Sequence, residues 1–153
     1  MLHSIKTKQL LKADLAKVWD FISSPKNLAA ITPAYMGFSM LTNSVEKMFA
    51  GQIIEYHVSP VAGIIMHWVT EITHVEHGVY FVDEQRFGPY SFWHHKHFLK
   101  ETRNGIEMND EVHYKLPLGP IGVFVNSVYV KKQLQSIFDY RYKKLDELFN
   151  HKQ

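Results

Sequence analysis

The spacing of apolar and polar residues divides the chain into an opening strand, a helical stretch, a long series of strands and a closing helix. Leu2 to Leu11 predicts a first strand, with weak alternation. Asp14 then stands where a helix N-cap is expected, ahead of Leu15, Val18, Trp19 and Ile22 at i, i+3, i+4 and i+7, which make one buried stripe. Ser24-Pro25 predicts a short second helix, with serine as cap and proline at the first position. It ends before Thr32-Pro33, because a residue ahead of proline is driven out of helical geometry.

After Pro33 the pattern becomes strand-like. Six runs are predicted, at about Tyr35–Leu41, Gly51–Ser59, Ile64–Val75, Val79–Phe87, Ser91–Thr102 and Gly105–Leu116. Turn signals separate the later ones at Pro60…Gly63, His77-Gly78, Gly88-Pro89 and Asn104-Gly105. Such close spacing leaves no room for crossover helices, so the pairing is antiparallel. From Pro120 onward Leu134, Ile137, Phe138, Tyr142, Leu145 and Leu148 recur at helical spacing, with Lys131, Lys132, Gln135, Asp139 and Lys143 on the other side. This amphipathic helix has only the sheet to lie against. The predicted order is β-α-α-β-β-β-β-β-β-α, an α+β chain with a seven-stranded antiparallel sheet. No repeat or linker interrupts it, so residues 1–153 are expected to form one domain.

Asn104-Gly105 is the strongest hairpin signal, since a type I′ turn needs positive φ at both central residues. A two-residue loop there pairs Arg103 with Ile106, and places Leu99 opposite Asp110, His97 opposite Val112, His95 opposite Tyr114 and Trp93 opposite Leu116. In the last strand Ile106, Met108, Val112, Tyr114 and Leu116 alternate with polar residues, so the even-numbered face is buried. Its partners are Trp93, His95, His97 and Leu99. His95, His97 and Asp110 therefore sit on an apolar interior, where an unpaired carboxylate costs several kcal/mol. In the preceding strand Phe81, Asp83, Gln85 and Phe87 are the preferred inward set, with Tyr80, Val82, Glu84 and Arg86 as the alternative. For Ile64–Val75 the inward set is Met66, Trp68 and Ile72.

Composition narrows the partners. With 17 Lys+Arg against 15 Asp+Glu the net charge is +2, too weak a field to capture nucleic acid or an anionic membrane. The absence of cysteine excludes disulfides and thiolate chemistry. The N-terminus lacks the apolar run of a signal peptide, and no membrane span is present, so a cytoplasmic protein is expected. The oligomeric state is left open.

Gly88-Pro89-Tyr90…Trp93-His94-His95-Lys96-His97, Asp110-Glu111-Val112-His113-Tyr114-Lys115-Leu116-Pro117-Leu118-Gly119 and Phe138-Asp139-Tyr140-Arg141 together resemble the ligand-binding SRPBCC proteins. That superfamily includes the lipid-transfer START domains, the birch pollen allergen and the polyketide cyclase/dehydratases. The likeness is nearest to a small domain sometimes joined to a sugar-nucleotide epimerase-like domain and labelled a cell-division inhibitor. The resemblance implies a helix-grip fold, a seven-stranded curved sheet wrapped round the long helix with a cavity between them. No Gly-x-Gly-x-x-Gly occurs, so the occasional association of the family with NAD does not carry over, and no cofactor is expected.

Three chemical readings follow. In the first, a small hydrophobic or amphipathic ligand is bound by Met66, Trp68, Phe81, Asp83, Gln85, Trp93, His95, His97, Met108, Asp110, Tyr114 and Arg141, in a cavity of at least roughly 300 Å³. The bland alternative is that these residues fill a core. In the second, His95 or His97, held by Asp110, is the general base of a cyclase or dehydratase, against a buried network that only fixes register. In the third, His95, His97 and Asp110 ligate a metal, but an i, i+2 histidine pair with one diagonal acid is a weak signal and no metal is expected. Arg141 is placed to meet an inward acid or a ligand carboxylate. Gly119-Pro120-Ile121-Gly122 lacks the Lys-Ser/Thr of a phosphate loop and predicts a hinge before the last helix.

Overall fold

The computed structural model describes residues 1–42, 47–61 and 63–151. The strands are β1 (His3–Leu11), β2 (Ser39–Met40), β3 (Gln52–Val61), β4 (Ile64–Glu76), β5 (Tyr80–Phe87), β6 (Phe92–Thr102) and β7 (Gly105–Lys115). They form one antiparallel sheet in the order β1-β7-β6-β5-β4-β3-β2. Helix α1 (Leu15–Ile22) follows β1, and the chain closes with α2 (Gly119–Val125), a π turn (Asn126–Val130) and α3 (Lys131–Phe149).

Local chemistry corrects the sequence reading in several places. The second helix is a 3₁₀ helix, Pro25–Ile31, and neither Asp14 nor Ser24 makes a side-chain cap bond. The strand expected at Tyr35–Leu41 shrinks to Ser39–Met40. Its first half is a 3₁₀ turn, Ala34–Met36, that begins after Pro33 and is ended by Gly37 at φ 54°, a conformation that glycine adopts without steric cost.

The β6–β7 hairpin is slipped by two residues from its expected register. Thr102 pairs with Gly105, so His97 faces Asp110, His95 faces Val112 and Trp93 faces Tyr114. Arg103 and Asn104 form the loop, and Asn104 keeps negative φ. Gly105, at φ 129°, opens β7 hard against the end of β1, where a Cβ would collide with the Leu11 carbonyl. Thr102 Oγ1 closes the turn, accepting from the Asn104 N–H at 3.3 Å and donating to the Gly105 carbonyl at 2.7 Å. Because side chains alternate with period two, an even slip leaves each residue on its expected face.

The apolar interior falls into three clusters among the described residues. One joins α1 and the C-terminal end of α3 to β1, β5, β6 and β7 through Trp19, Phe81, Met108 and Leu145. A second packs Val130, Leu134 and Phe138 on Val112 and Tyr114. A third gathers Met36, Val58 and Trp68. On α3, Leu134, Phe138, Leu145 and Phe149 are buried, whereas Tyr142 and Leu148 face solvent, a correction to the predicted stripe. Phe87, expected inside, is 62% exposed at the end of β5. The Gly119–Gly122 segment is the first turn of α2 rather than a hinge. Gly122 seats that turn, since a Cβ there would collide with the Pro117 carbonyl. Four residues on, Asn126 accepts a hydrogen bond from the Tyr114 hydroxyl at 2.9 Å. Among the described residues, no helix is long and apolar enough to cross a membrane.

Candidate functional site

Between the three clusters lies a cavity of about 190 Å³, bounded by the sheet, the 3₁₀ segment and α3. It is smaller than the expected volume because large rings crowd it. Trp68 packs edge-on against Trp93 with centroids 5.3 Å apart, Tyr90 lies 4.9 Å from Trp93, and Tyr56 stacks on Trp68. The Thr70 hydroxyl takes the indole N–H of Trp68 at 3.0 Å and pairs with the Tyr56 hydroxyl at 3.0 Å. Burial pushes the Tyr56 and Tyr90 phenols far above their ordinary range, so both remain protonated.

One wall of the cavity is polar. β5 and β6 pair so that Asp83 is opposite His95 and Phe81 opposite His97, and β7 adds Asp110 opposite His97. The pleat turns all four polar side chains inward. His97 Nε2 lies 2.8 Å from Asp83 Oδ2, and its Nδ1 lies 2.7 Å from Asp110 Oδ1. His95 Nε2 lies 3.1 Å from the same Asp110 oxygen, and its Nδ1 lies 3.5 Å from Asp83 Oδ2. Arg141 reaches in from α3, with Nη2 3.3 Å from His97 Nδ1 and 3.6 Å from Asp110 Oδ1. Its Nε is buried with no hydrogen-bond partner, as is the hydroxyl of Ser24, another residue of the cavity lining.

These neighbours set the charges. Burial opposes ionisation of Asp110, but the Arg141 guanidinium and the two histidines outweigh it and hold its carboxyl well below the ordinary range. Asp83 is likewise lowered, burial again being overcome by His95, His97 and Arg141. Burial lowers His95 to about 4, with repulsion from His97 adding to the effect, so that ring is neutral near pH 7. Burial also disfavours charge on His97, yet an acid on each side raises it. Ring packing fixes the geometry, with His97 stacked on Phe81 at 4.0 Å and His95 at 3.7 Å from His97.

Of the residues named from sequence, Trp68, Phe81, Asp83, Trp93, His95, His97 and Arg141 line the cavity. Asp110 stands behind the histidines. Met108 is in the first cluster, Tyr114 in the second and bonded to Asn126, and half-buried Met66 is outside the lining. Gln85 exchanges two hydrogen bonds with the Tyr90 backbone, at 2.6 and 3.1 Å, and so holds Tyr90 in the cavity wall. Tyr56, Thr70 and Tyr90 also line the cavity and were not among the ligand-binding residues named, although Tyr90 belongs to the motif that carries the resemblance. Alternation of Ile54, Tyr56 and Val58 in β3 was the available signal for Tyr56.

No family model matches the chain, and no curated protein matches it. Solved structures do. It is similar to KanY, at 14% identity over 99% of each chain with a TM-score of 0.73. A protein from Chromobacterium violaceum, CV1439, matches at 14% identity over 97% of this chain and 99% of the other, with a TM-score of 0.71. Ara h 8.0201 matches at 13% identity over 95% and 98%, with a TM-score of 0.60. The chain has the helix-grip fold. At these identities the likeness carries the architecture alone, and the chemistry has to come from the side chains in the grip.

Proposed function

We propose that the chain binds a small, largely apolar molecule between the sheet and α3, with a polar end of that molecule toward Asp83, His95, His97 and Arg141. One observation carries the reading. A cavity of about 190 Å³ is lined by residues of all three packed clusters, and an apolar void forfeits dispersion contacts unless something fills it. An aromatic lining with a few convergent polar groups is the usual make-up of a small-molecule site. The SRPBCC resemblance points the same way.

Titration with an apolar fluorescent probe tests this. One probe per chain is expected at micromolar concentration. Ile137→Trp, which fills the space, should abolish binding without lowering the thermal midpoint. Failure of all apolar probes to bind, or unchanged binding in the filled variant, removes the reading. Native mass spectrometry of freshly purified protein would show any carried ligand directly.

A second reading, a cyclase- or dehydratase-like enzyme, is favoured by His97, which lines the cavity with an acid on each side. In that case His97→Gln removes turnover and leaves ligand affinity within about tenfold. Recovery of every bound molecule chemically unchanged from the wild type excludes it.

A further inference from the structure

Asp110 Oδ1 lies 3.1 Å from His95 Nε2 and 2.7 Å from His97 Nδ1. Two ring lone pairs cannot rest that close to an ionised oxygen, so each of those nitrogens carries a proton directed at Asp110. In neutral rings the lone pairs are then on the other nitrogens, His95 Nδ1 and His97 Nε2. Those two atoms converge on a single oxygen of Asp83, at 3.5 and 2.8 Å. The three electron-pair donors lie within 4.8 Å of one another. They sit in the cavity lining, and Asp110 sits behind it. The 2.8 Å between His97 Nε2 and Asp83 Oδ2 is a hydrogen-bond distance, bridged by a proton, and a first-row cation at ~2.0–2.2 Å from each atom would take that proton's place.

We propose that Asp83 Oδ2, His95 Nδ1 and His97 Nε2 form a binding site for a first-row divalent cation, with its remaining coordination positions open to the cavity. Asp110 is the main support. Histidines that bind metals commonly give their other N–H to a carboxylate, which fixes the tautomer and the ring direction. Here one carboxylate does this for both rings and is itself backed by Arg141. The rings are already immobilised, His97 against Phe81 and His95 against Phe138, so the shift needed to admit an ion falls on the Asp83 carboxylate. Two carboxylates against one guanidinium leave negative charge where the lone pairs meet. Two imidazole nitrogens and one oxygen suit iron, cobalt, nickel or zinc rather than magnesium or calcium. The site shares Asp83, His95 and His97 with the apolar-ligand reading, yet the two fail separately, because probe binding in the presence of a chelator tests that reading alone.

The experiment is calorimetric titration of chelator-treated protein with Co(II) and Zn(II), with the cobalt absorption spectrum recorded in parallel. One ion per chain and visible d–d bands are expected. Asp110→Asn should weaken binding by about 10–100-fold, and Asp83→Asn by more. His57 and His67, outward on β3 and β4 with rings 5.8 Å apart, are the obvious adventitious competitor. The His57→Asn/His67→Asn double variant should bind as the wild type does. A readout free of any variant is the paramagnetic effect of Co(II) on the wild-type NMR spectrum, expected to centre on Phe81, Asp83, His95 and Phe138. The proposal is overturned by absence of stoichiometric binding, by a folded Asp83→Asn protein with unchanged affinity, or by paramagnetic effects centred elsewhere. If Asp83→Asn does not fold, the wild-type spectrum decides.

Discussion

The two faces of the β5–β7 sheet carry the same acid–base chemistry one residue apart. Outward, His94 Nδ1 meets Glu84 at 2.9 Å, and Glu111 takes Lys6 at 2.5 Å and Lys96 at 3.4 Å. Inward, His95 and His97 meet Asp83 and Asp110 at 2.7 to 3.5 Å. Distances hardly separate the faces, but surroundings do. The Glu84 and His94 side chains keep about a quarter of their surface in water, whereas His95, His97 and Asp110 keep 4–7%. Outside, water replaces any lost partner, so each pair is separable and contributes little. Inside, where Asp83 at 18% and Arg141 at 11% are the most open members, the buried histidines and Asp110 have little water to replace a partner, so five side chains form one unit whose members fix each other's protons.

Removing one member from each face would break that contrast most directly. Asp110→Ala strands the Arg141 guanidinium in the interior and should cost about 3–5 kcal/mol in urea unfolding. A loss below about 1 kcal/mol would mean that water reaches the cluster and that the two faces are alike. The next largest effect is a pH dependence, in metal-free protein held with a chelator. His95 is depressed from 6.5 to about 4, so its contribution is present above 6.5 and is lost as the pH falls from 6.5 to 4. The expected loss is about 3 kcal/mol. His97, shifted upward, adds its stability below its ordinary value and is constant across that window. Urea midpoints measured across this range should slope in the wild type, flatten in His95→Gln and keep their slope in the outward His94→Gln. The smallest effect sharpens the comparison. A double-mutant cycle on Glu84 and His94 should give a coupling of about 0.2–1 kcal/mol that weakens with salt.

The same contrast explains what could be read from sequence. The succession of elements along the chain and the inward face of β6 and β7 were legible, because alternation is a local signal and because an even slip of the hairpin preserves it. The pairing itself was not. Asn104-Gly105 signals a type I′ turn, but Gly105 is spent on the close approach to Leu11, a contact with a strand about a hundred residues earlier in the chain. Asp83 was read as inward, yet its role as the acid shared by both histidines depends on the β5–β6 register, which no turn residue specified. Met108 and Trp68 look alike in sequence, both apolar and inward. One is packed in a core cluster with α1 and Leu145 and the other borders the cavity, a distinction that depends on which elements cover each point of the sheet. Periodicity reports direction and not distance.

The π turn at Asn126–Val130 gives the C-terminal helix a local tolerance to length. A π turn is a helix with a residue to spare. Deleting one residue there, Asn126 aside, would restore regular α geometry and leave Gly119–Val125 nearly in phase with Lys131–Phe149, because the wider turn had already taken up the extra residue. Gly122 would keep its seat over the Pro117 carbonyl, and Asn126 would still face Tyr114. Within Lys131–Phe149 there is no residue to spare, and the same deletion would turn the two parts of the helix by ~100° relative to each other, taking Leu134, Phe138 or Arg141 off the cavity. Single-residue deletions should therefore be tolerated far better within residues 127–130 than within α3, although both change the chain by the same amount.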